Sequence, residues 1–182
     1  MALPGIVNAQ FNEPGTVVIH TFTGEAAGDN FGWVSEALPD ITGDAILDLV
    51  ITAPFNDANG SNAGRVYIYN GATGVLVFPP ISGTIPGENL GISVGSAGDV
   101  NMDNIADIVV GAPGVLQGRA YVFSGADGAL LRTYSGEFSG DRFGSAAKGI
   151  GDLNGDGHSD ILIGAELNDV NGSNSGKAYV FS

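Results

Sequence analysis

Three short segments of this chain carry aspartate at positions one, five and nine and an oxygen-bearing side chain at position three. We call them acidic loops one, two and three. Calcium in proteins takes roughly six to eight oxygen ligands at about 2.3–2.6 Å, in a tolerant geometry. Alternating oxygen donors in a short loop therefore predict calcium binding. The residues are Asp40, Thr42, Asp44 and Asp48 in loop one, Asp99, Asn101, Asp103 and Asp107 in loop two, and Asp152, Asn154, Asp156 and Asp160 in loop three.

Two other interpretations of the acidic loops need weighing. An EF-hand has a loop of about twelve residues that ends in glutamate and lies between two helices. Here each pattern ends in aspartate at position nine and β-rich sequence follows, so an EF-hand is rejected. Aspartate, asparagine and glycine also form tight turns without any metal, and that alternative stays open.

The composition restricts the classes of partner and of fold. The formal net charge is -14, which argues against nucleic acid and anionic membranes as partners. Nine of the twenty acidic residues are the loop aspartates, so bound cations would offset much of this charge. The chain has no cysteine, hence no disulfide, and no apolar run long enough for a transmembrane helix. Thirty glycines among short apolar runs favour many short strands joined by turns.

The acidic loops belong to a longer repeat, because other landmarks recur around each of them. An aromatic or leucine residue followed by glycine precedes each loop, an apolar run follows it, and a tyrosine-containing run comes next. Repeats one and three also carry similar inserts, residues 56–62 and 168–174, which repeat two lacks. The landmarks are Phe31-Gly32, Leu90-Gly91 and Phe143-Gly144, then Ile46 to Ala53, Ile105 to Ala112 and Ile161 to Ala165, then Val66 to Tyr69, Ala120 to Phe123 and Ala178 to Phe181.

This pattern predicts four strands per repeat in an all-β fold. The first begins at the Phe-Gly or Leu-Gly element, the acidic loop joins it to the second, and the tyrosine-containing run is the third. Fourth strands are expected at Val75–Phe78 and Ala129–Tyr134, and Thr16–Thr23 resembles one ahead of the first repeat. We expect one domain over residues 1–182, with repeats at approximately 16–70, 71–124 and 125–182.

These motifs resemble the FG-GAP repeat, the blade unit of the integrin alpha-subunit β-propeller and of many secreted bacterial proteins. The resemblance covers residues 16–182 and is most specific in repeat three, which has Phe143-Gly144, loop three, Gly164-Ala165 and Tyr179-Val180-Phe181. Repeat one departs from the family pattern at Thr42 and Thr52. The other departures are Leu90 in place of phenylalanine and Glu166 in place of proline.

The resemblance implies a β-propeller of four-stranded antiparallel blades, three per chain, in which the acidic loop joins the first two strands. It implies up to three Ca²⁺ per chain, held by the side chains at positions one, three, five and nine. The main-chain carbonyl of position seven would complete each set: Ile46, Ile105 and His158.

Three blades do not close a propeller, since known rings have about four to eight. Either the chain is part of a longer propeller, or two chains form a six-bladed homodimer. We expect the homodimer, in which Thr16–Thr23 of one chain completes the last blade of the other. No signal peptide is visible at the N-terminus, and a mature protein at the cell surface or outside the cell is expected.

No set of residues in the sequence predicts catalysis. His158 lies at loop position seven, His20 lies in an expected edge strand, and neither has an assignable nucleophile. The chain is therefore expected to be a non-catalytic, calcium-binding module for structural support, recognition or adhesion. The resemblance to the FG-GAP family implies that its ligand would be protein or carbohydrate, bound on the face away from the loops. The alternatives are an accessory or substrate-binding domain of a larger secreted hydrolase, and a repeat fragment without an independent role.

Two further expectations concern individual side chains. Trp33 is expected to pack in the core, with ligand stacking as the minor alternative. The basic residue before each third strand is expected to neutralise nearby acidic charge, with ligand binding as the minor alternative. These basic residues are Arg65, Arg119 and Lys177.

Overall fold

The computed structural model describes residues 17–182, which form eleven β-strands. The strands are β1 (Ser35–Leu38), β2 (Asp48–Ala53), β3 (Arg65–Tyr69), β4 (Ile81–Ser82), β5 (Ser93–Gly98), β6 (Asp107–Ala112), β7 (Arg119–Phe123), β8 (Leu130–Ser135), β9 (Phe143–Gly151), β10 (Asp160–Ala165) and β11 (Lys177–Phe181). In this part of the chain no helix is long and apolar enough to cross a membrane.

The strands form three antiparallel sheets in which each strand pairs with its neighbour in sequence. Sheet one has the order β1-β2-β3-β4, sheet two β5-β6-β7-β8, and sheet three β11-β10-β9. The register repeats as well: Val50 lies between Glu36 and Ile68, and Val109 lies between Gly95 and Val122. The predicted all-β architecture and the predicted second and third strands are confirmed.

The predictions for the first and fourth strands are partly wrong. β1 and β5 begin after the Phe31-Gly32 and Leu90-Gly91 elements, and only β9 begins at its phenylalanine. Val75–Phe78 is not a strand: one isolated bridge joins Leu76 to Tyr69, and β4 follows later. Residues 17–23 have no strand either, because they make no β-ladder with a neighbouring strand; Thr16 lies outside the described residues.

Two hydrophobic clusters hold adjacent sheets together. In the first, Val66 and Ile68 of sheet one are buried with Ile108 and Val110 of sheet two. In the second, the intervening Val109 is buried with residues of sheet three. Successive residues of β6 therefore point to opposite clusters, as the period of two in a strand requires. The middle sheet is buried on both faces for this reason.

Small residues at the end of β6 let adjacent sheets approach closely. A Cβ at Gly111 would lie 1.9 Å from the carbonyl oxygen of Gly144, where no side chain fits. Ser93 also donates a hydrogen bond to that carbonyl at 2.9 Å. Gly111 therefore has a packing role, whereas Gly164, at the same place in β10, makes no such close contact.

The meander places all three acidic loops at the same end of their sheets, between first and second strands. The two inserts join second to third strands, so they lie at the opposite end. The fold thus separates an acidic end from a second end, which we call the insert face.

Candidate metal loops and the insert face

The three acidic loops share one backbone conformation. Positions four and six have positive φ in every loop, and three of these six residues are not glycine. A side chain in the left-handed region costs about 1–2 kcal/mol, so Ala45 and Met102 are under strain. The φ values at positions four and six are 80° and 67° for Gly43 and Ala45, 63° and 66° for Met102 and Asn104, and 81° and 90° for Gly155 and Gly157.

The carboxylate at position one accepts the loop amides that this conformation turns inward. Asp40 accepts hydrogen bonds from the N–H groups of residues 42–45, at 2.7–3.2 Å. Asp99 and Asp152 accept the amides at positions five and six of their own loops. Burial opposes ionisation of Asp40, but its four amide partners outweigh that effect and lower its pKa.

The carboxylate at position nine is buried and anchors the loop to the sheet. Asp48, Asp107 and Asp160 are each at most 1% exposed. One oxygen of each accepts the N–H of position two, at 2.9 Å for Ile41 and 2.8 Å in the other two loops. Burial raises the pKa of Asp107, and repulsion from Asp103 and Asp99 adds to the rise. The hydrogen bonds from the N–H groups of residues 100 and 125 lower the pKa, but they do not cancel the increase.

In the carboxylate at position five, one oxygen accepts a hydrogen bond from the loop backbone and the other accepts one from a side chain. One oxygen of Asp44, Asp103 and Asp156 accepts the N–H of position seven, at 2.8–2.9 Å. The other accepts a side-chain amide, from Asn70 in loop one and from position three in loops two and three. The Ser182 hydroxyl also donates to Asp156 and, with these N–H groups, lowers its pKa to about 2.

The donor chemistry of the loops suits a hard cation, but the side chains do not form a ready-made cage. Each loop offers three carboxylates and a hydroxyl or amide oxygen, which are ligands that Ca²⁺ accepts. Within residues 17–182, however, no three acidic or imidazole groups converge as a metal site. The position-three oxygen of every loop already accepts a hydrogen bond, from Asn70 at 2.8 Å in loop one and from the position-five N–H at 3.0 and 2.9 Å in loops two and three. The predicted ligand sets therefore stay predictions.

The two inserts on the opposite face are preorganised in the same way. Asn56 is buried at the base of the first insert and donates to the buried Asp29 at 2.6 Å. Its side-chain oxygen accepts the N–H of Ala58 at 3.0 Å, and its main-chain oxygen accepts the N–H of Gly64 at 3.0 Å. Asn168 makes the corresponding contacts with Asp141, Val170 and Gly176 in the second insert, at 2.5, 3.1 and 2.9 Å.

In repeat two, which has no insert, Glu88 stands at the position of Asp29 and Asp141. Glu88, 1% exposed, accepts the Tyr121 hydroxyl at 2.8 Å and the N–H groups of Thr84 and Ile85 at 2.5 and 3.0 Å. The longer glutamate thus reaches partners that replace the missing asparagine. Sequence reasoning missed these buried acids, although one stands two residues before each Phe-Gly or Leu-Gly element: Asp29, Glu88 and Asp141.

An exposed aromatic ring and two ion pairs also lie at the insert end of the sheets. Trp33 is 50% exposed and its ring meets Phe55 at 5.7 Å and 84°, so the expectation that it packs in the core was wrong. Arg65 pairs with Glu25 at 2.8 Å and Lys177 with Glu137 at 2.7 Å, as expected from their positions.

Arg119 and the two histidines also have local partners. Arg119 donates to the Tyr121 hydroxyl at 3.4 Å. His20 lies outside any strand and its Nε2 is 3.0 Å from the main-chain oxygen of Gly71. His158 contacts the neighbouring acidic loop rather than a nucleophile.

Comparison with known families bears directly on the repeat. The FG-GAP repeat model matches residues 31–69, 91–123 and 149–181, more than half of the chain. The chain belongs to the FG-GAP repeat family. The three matched segments contain the three acidic loops and the strands on either side of them, except that the third segment includes only the last three residues of β9. The sheets are therefore consistent with propeller blades, although residues 17–182 do not form a closed ring.

Similar proteins are integrin alpha subunits. The chain is 35% identical over 178 residues to integrin alpha-2 of Bos taurus, which covers 88% of this chain and 15% of the relative. It is 30% identical over 171 residues to integrin alpha-PS5 of Drosophila melanogaster, a match that covers 85% of this chain and 17% of the relative. For integrin alpha-4 of Xenopus laevis the identity is 27% over 172 residues, covering 87% and 16%. The chain thus spans about a sixth of the length of these relatives.

Proposed function

We propose that this FG-GAP chain is a non-catalytic, calcium-stabilised propeller module for recognition or structural support outside the cell or at its surface. The observation that carries the proposal is the threefold acidic loop, built with the same backbone, the same amide contacts and the same buried aspartate. A loop needed only as a turn would not require three carboxylates and two left-handed residues each time. The integrin alpha relatives favour adhesion or recognition as the setting.

The electrostatics of the loops give the reason for a cation. The acidic end of each blade concentrates negative charge on a short loop, and repulsion from Asp99 and Asp103 acts on the buried Asp107. A bound Ca²⁺ would neutralise these charges and complete the ligand set with the position-seven carbonyl. Because such a site exists only in the folded chain, the binding free energy would add to the free energy of unfolding.

The insert face is the surface proposed to bind the ligand. Its two inserts are held by buried Asp–Asn pairs, and Trp33 offers an exposed aromatic ring at their level. Preorganised loops lose little conformational entropy on binding. Protein is the favoured ligand class, because the relatives are integrin alpha subunits; carbohydrate is the alternative that the exposed Trp33 ring supports. None of the three relatives described above is named as a hydrolase, so nothing favours the accessory-domain alternative.

The calcium proposal is tested by thermal unfolding and calorimetric titration with Ca²⁺. At a concentration one hundred times Kd, one site adds about 2.7 kcal/mol to the free energy of unfolding. Asp103→Asn and Asp156→Asn should each lose part of the calcium-dependent rise in Tm. Asp127→Asn, in an exposed turn outside the loops, removes the same charge and should keep the full rise. Equal Tm values in calcium and in chelator would refute the proposal.

The homodimer is a separate proposal about how the ring closes. Residues 17–23 contact sheet one through Phe22, whose ring lies 4.2 Å from that of Tyr69. The same contact recurs between Tyr134 of β8 and Phe181, at 4.5 Å, which supports a fourth-strand role for residues 17–23. The integrin alpha matches give no support to a homodimer. Absolute mass by light scattering decides: a dimer in calcium supports it, and a monomer ends it.

A further inference from the structure

Acidic loops two and three touch each other across the interface between their sheets. Nδ1 of His158 in loop three lies 3.3 Å from the main-chain oxygen of Val100 in loop two. Met102 of loop two lies with its terminal methyl 3.7 Å from the place where a side chain at Gly157 of loop three would begin. Just before loop two, Gly98 leaves no room for a Cβ beside the hydroxyl of Ser159.

These contacts involve residues next to the predicted ligands. Val100 lies between the position-one and position-three ligands of loop two, and its N–H donates to Asp107 at 2.8 Å. His158 supplies the position-seven carbonyl of loop three, and its N–H donates to Asp156 at 2.9 Å. A cation that fixes either residue also fixes one side of the contact between the loops.

We propose that loops two and three bind divalent cations cooperatively, with the Val100–His158 and Met102–Gly157 contacts as the coupling. The inference rests on the proposed function, since it assumes that both loops bind calcium. Ordering one loop lowers the entropy cost of ordering its neighbour, so the second ion binds more tightly than it would alone. Thermodynamic linkage makes the effect reciprocal: each loop must raise the affinity of the other by the same factor.

Loops one and two have a different contact. Ile41 of loop one belongs to the first hydrophobic cluster, and Ile105 and Ala106 of loop two pack against that cluster. The coupling is proposed for loops two and three, because there a side-chain nitrogen of one loop lies within hydrogen-bond distance of a main-chain oxygen of the other.

The experiment measures Ca²⁺ affinity loop by loop in the full chain. The amide NMR signals of Asn104 and Gly157 report loops two and three, since both N–H groups donate to the position-one carboxylate of their own loop. Asp156→Asn should weaken binding at loop two by about fivefold or more, and Asp103→Asn should weaken loop three by the same factor. His158→Ala keeps the carbonyl ligand but should abolish this reciprocal effect, and Met102→Ala should reduce it.

Leu47→Ala is the control, because it truncates a side chain of loop one that is 60% exposed and is not a predicted ligand. It should leave the coupling between loops two and three intact. An unchanged loop-two affinity in Asp156→Asn would overturn the coupling while the calcium proposal stands. Absence of calcium binding at both loops would overturn the calcium proposal and the coupling together.

Discussion

The buried pair between Asn168 and Asp141 offers the sharpest test of how the inserts are held. Asn168 is 1% exposed and Asp141 is 5% exposed, and the amide donates to the carboxylate at 2.5 Å. Asn168→Ala removes that bond and leaves a buried carboxylate without its donor. It also removes the oxygen that accepts the N–H of Val170 at 3.1 Å.

The magnitude follows from two losses. A hydrogen bond to a charged group contributes about 1.5–3 kcal/mol, and the neutral bond to Val170 about 0.5–1.5 kcal/mol. We therefore expect Asn168→Ala to lower the free energy of unfolding by about 2–4 kcal/mol. For a chain of this length that corresponds to a fall in Tm of about 4–16 °C, at 2–4 °C per kcal/mol.

The assay is urea denaturation in constant calcium, with a double-mutant cycle between Asn168→Ala and Asp141→Ala. The cycle should give a coupling energy of about 1–3 kcal/mol, because the two groups bond directly. Asn171→Ala, at an exposed site in the same insert, is the control and should change the free energy by less than about 0.5 kcal/mol. A change below about 0.5 kcal/mol in Asn168→Ala, or additive single mutants, would refute the reasoning.

Three further predictions concern strain, packing and pH. Ala45→Gly relieves the strain of a left-handed backbone with φ of 67°, so it should raise the free energy of unfolding by up to about 1 kcal/mol in urea denaturation. The control Ala72→Gly, in an exposed turn, should lower the free energy of unfolding. Leu90→Phe restores the family residue beside a cavity of about 170 Å³ and should raise Tm by about 2–4 °C; a fall would show that the cavity cannot take the ring. Asp156 has its pKa lowered to about 2 from 3.8, so its stabilisation is complete above pH 3.8 and is lost as the pH falls towards about 2. The free energy of unfolding in chelator should fall over that range, and the part due to this group should be missing in Asp156→Asn.

Much of the fold could be predicted because its signals are local. The second and third strands follow from apolar and aromatic runs bounded by turns, and the antiparallel order follows from their short connections. The fourth strands were less predictable. Residues 75–78 have a suitable apolar composition, but only one isolated bridge forms there and the ladder forms at β4 instead. Whether a short segment becomes a strand depends on a partner strand at the correct distance.

The candidate site divides in the same way. Aspartate spacing predicted which residues share an acidic loop, and each set lies in one loop between two strands, although within residues 17–182 no three of these acidic groups converge as a metal site. Trp33 was misplaced, because its sequence neighbours are apolar while its ring lies outside the packed sheets. The buried acids were missed, because an aspartate two residues before Phe-Gly looks like any surface aspartate until its partner is known.

The amino-acid sequence by itself determined the family, the second and third strands and the three candidate loops, because each of these motifs depends on residues within a few positions of one another. The repeat follows from the recurrence of the motifs along the chain. The tertiary structure decided which carboxylates are buried and which loops meet. Asp29 contacts Asn56, which is 27 residues away in the sequence, and His158 contacts Val100, which is 58 residues away. Contacts at such separations depend on how whole sheets pack against each other, and that packing is a property of the folded chain rather than of any segment.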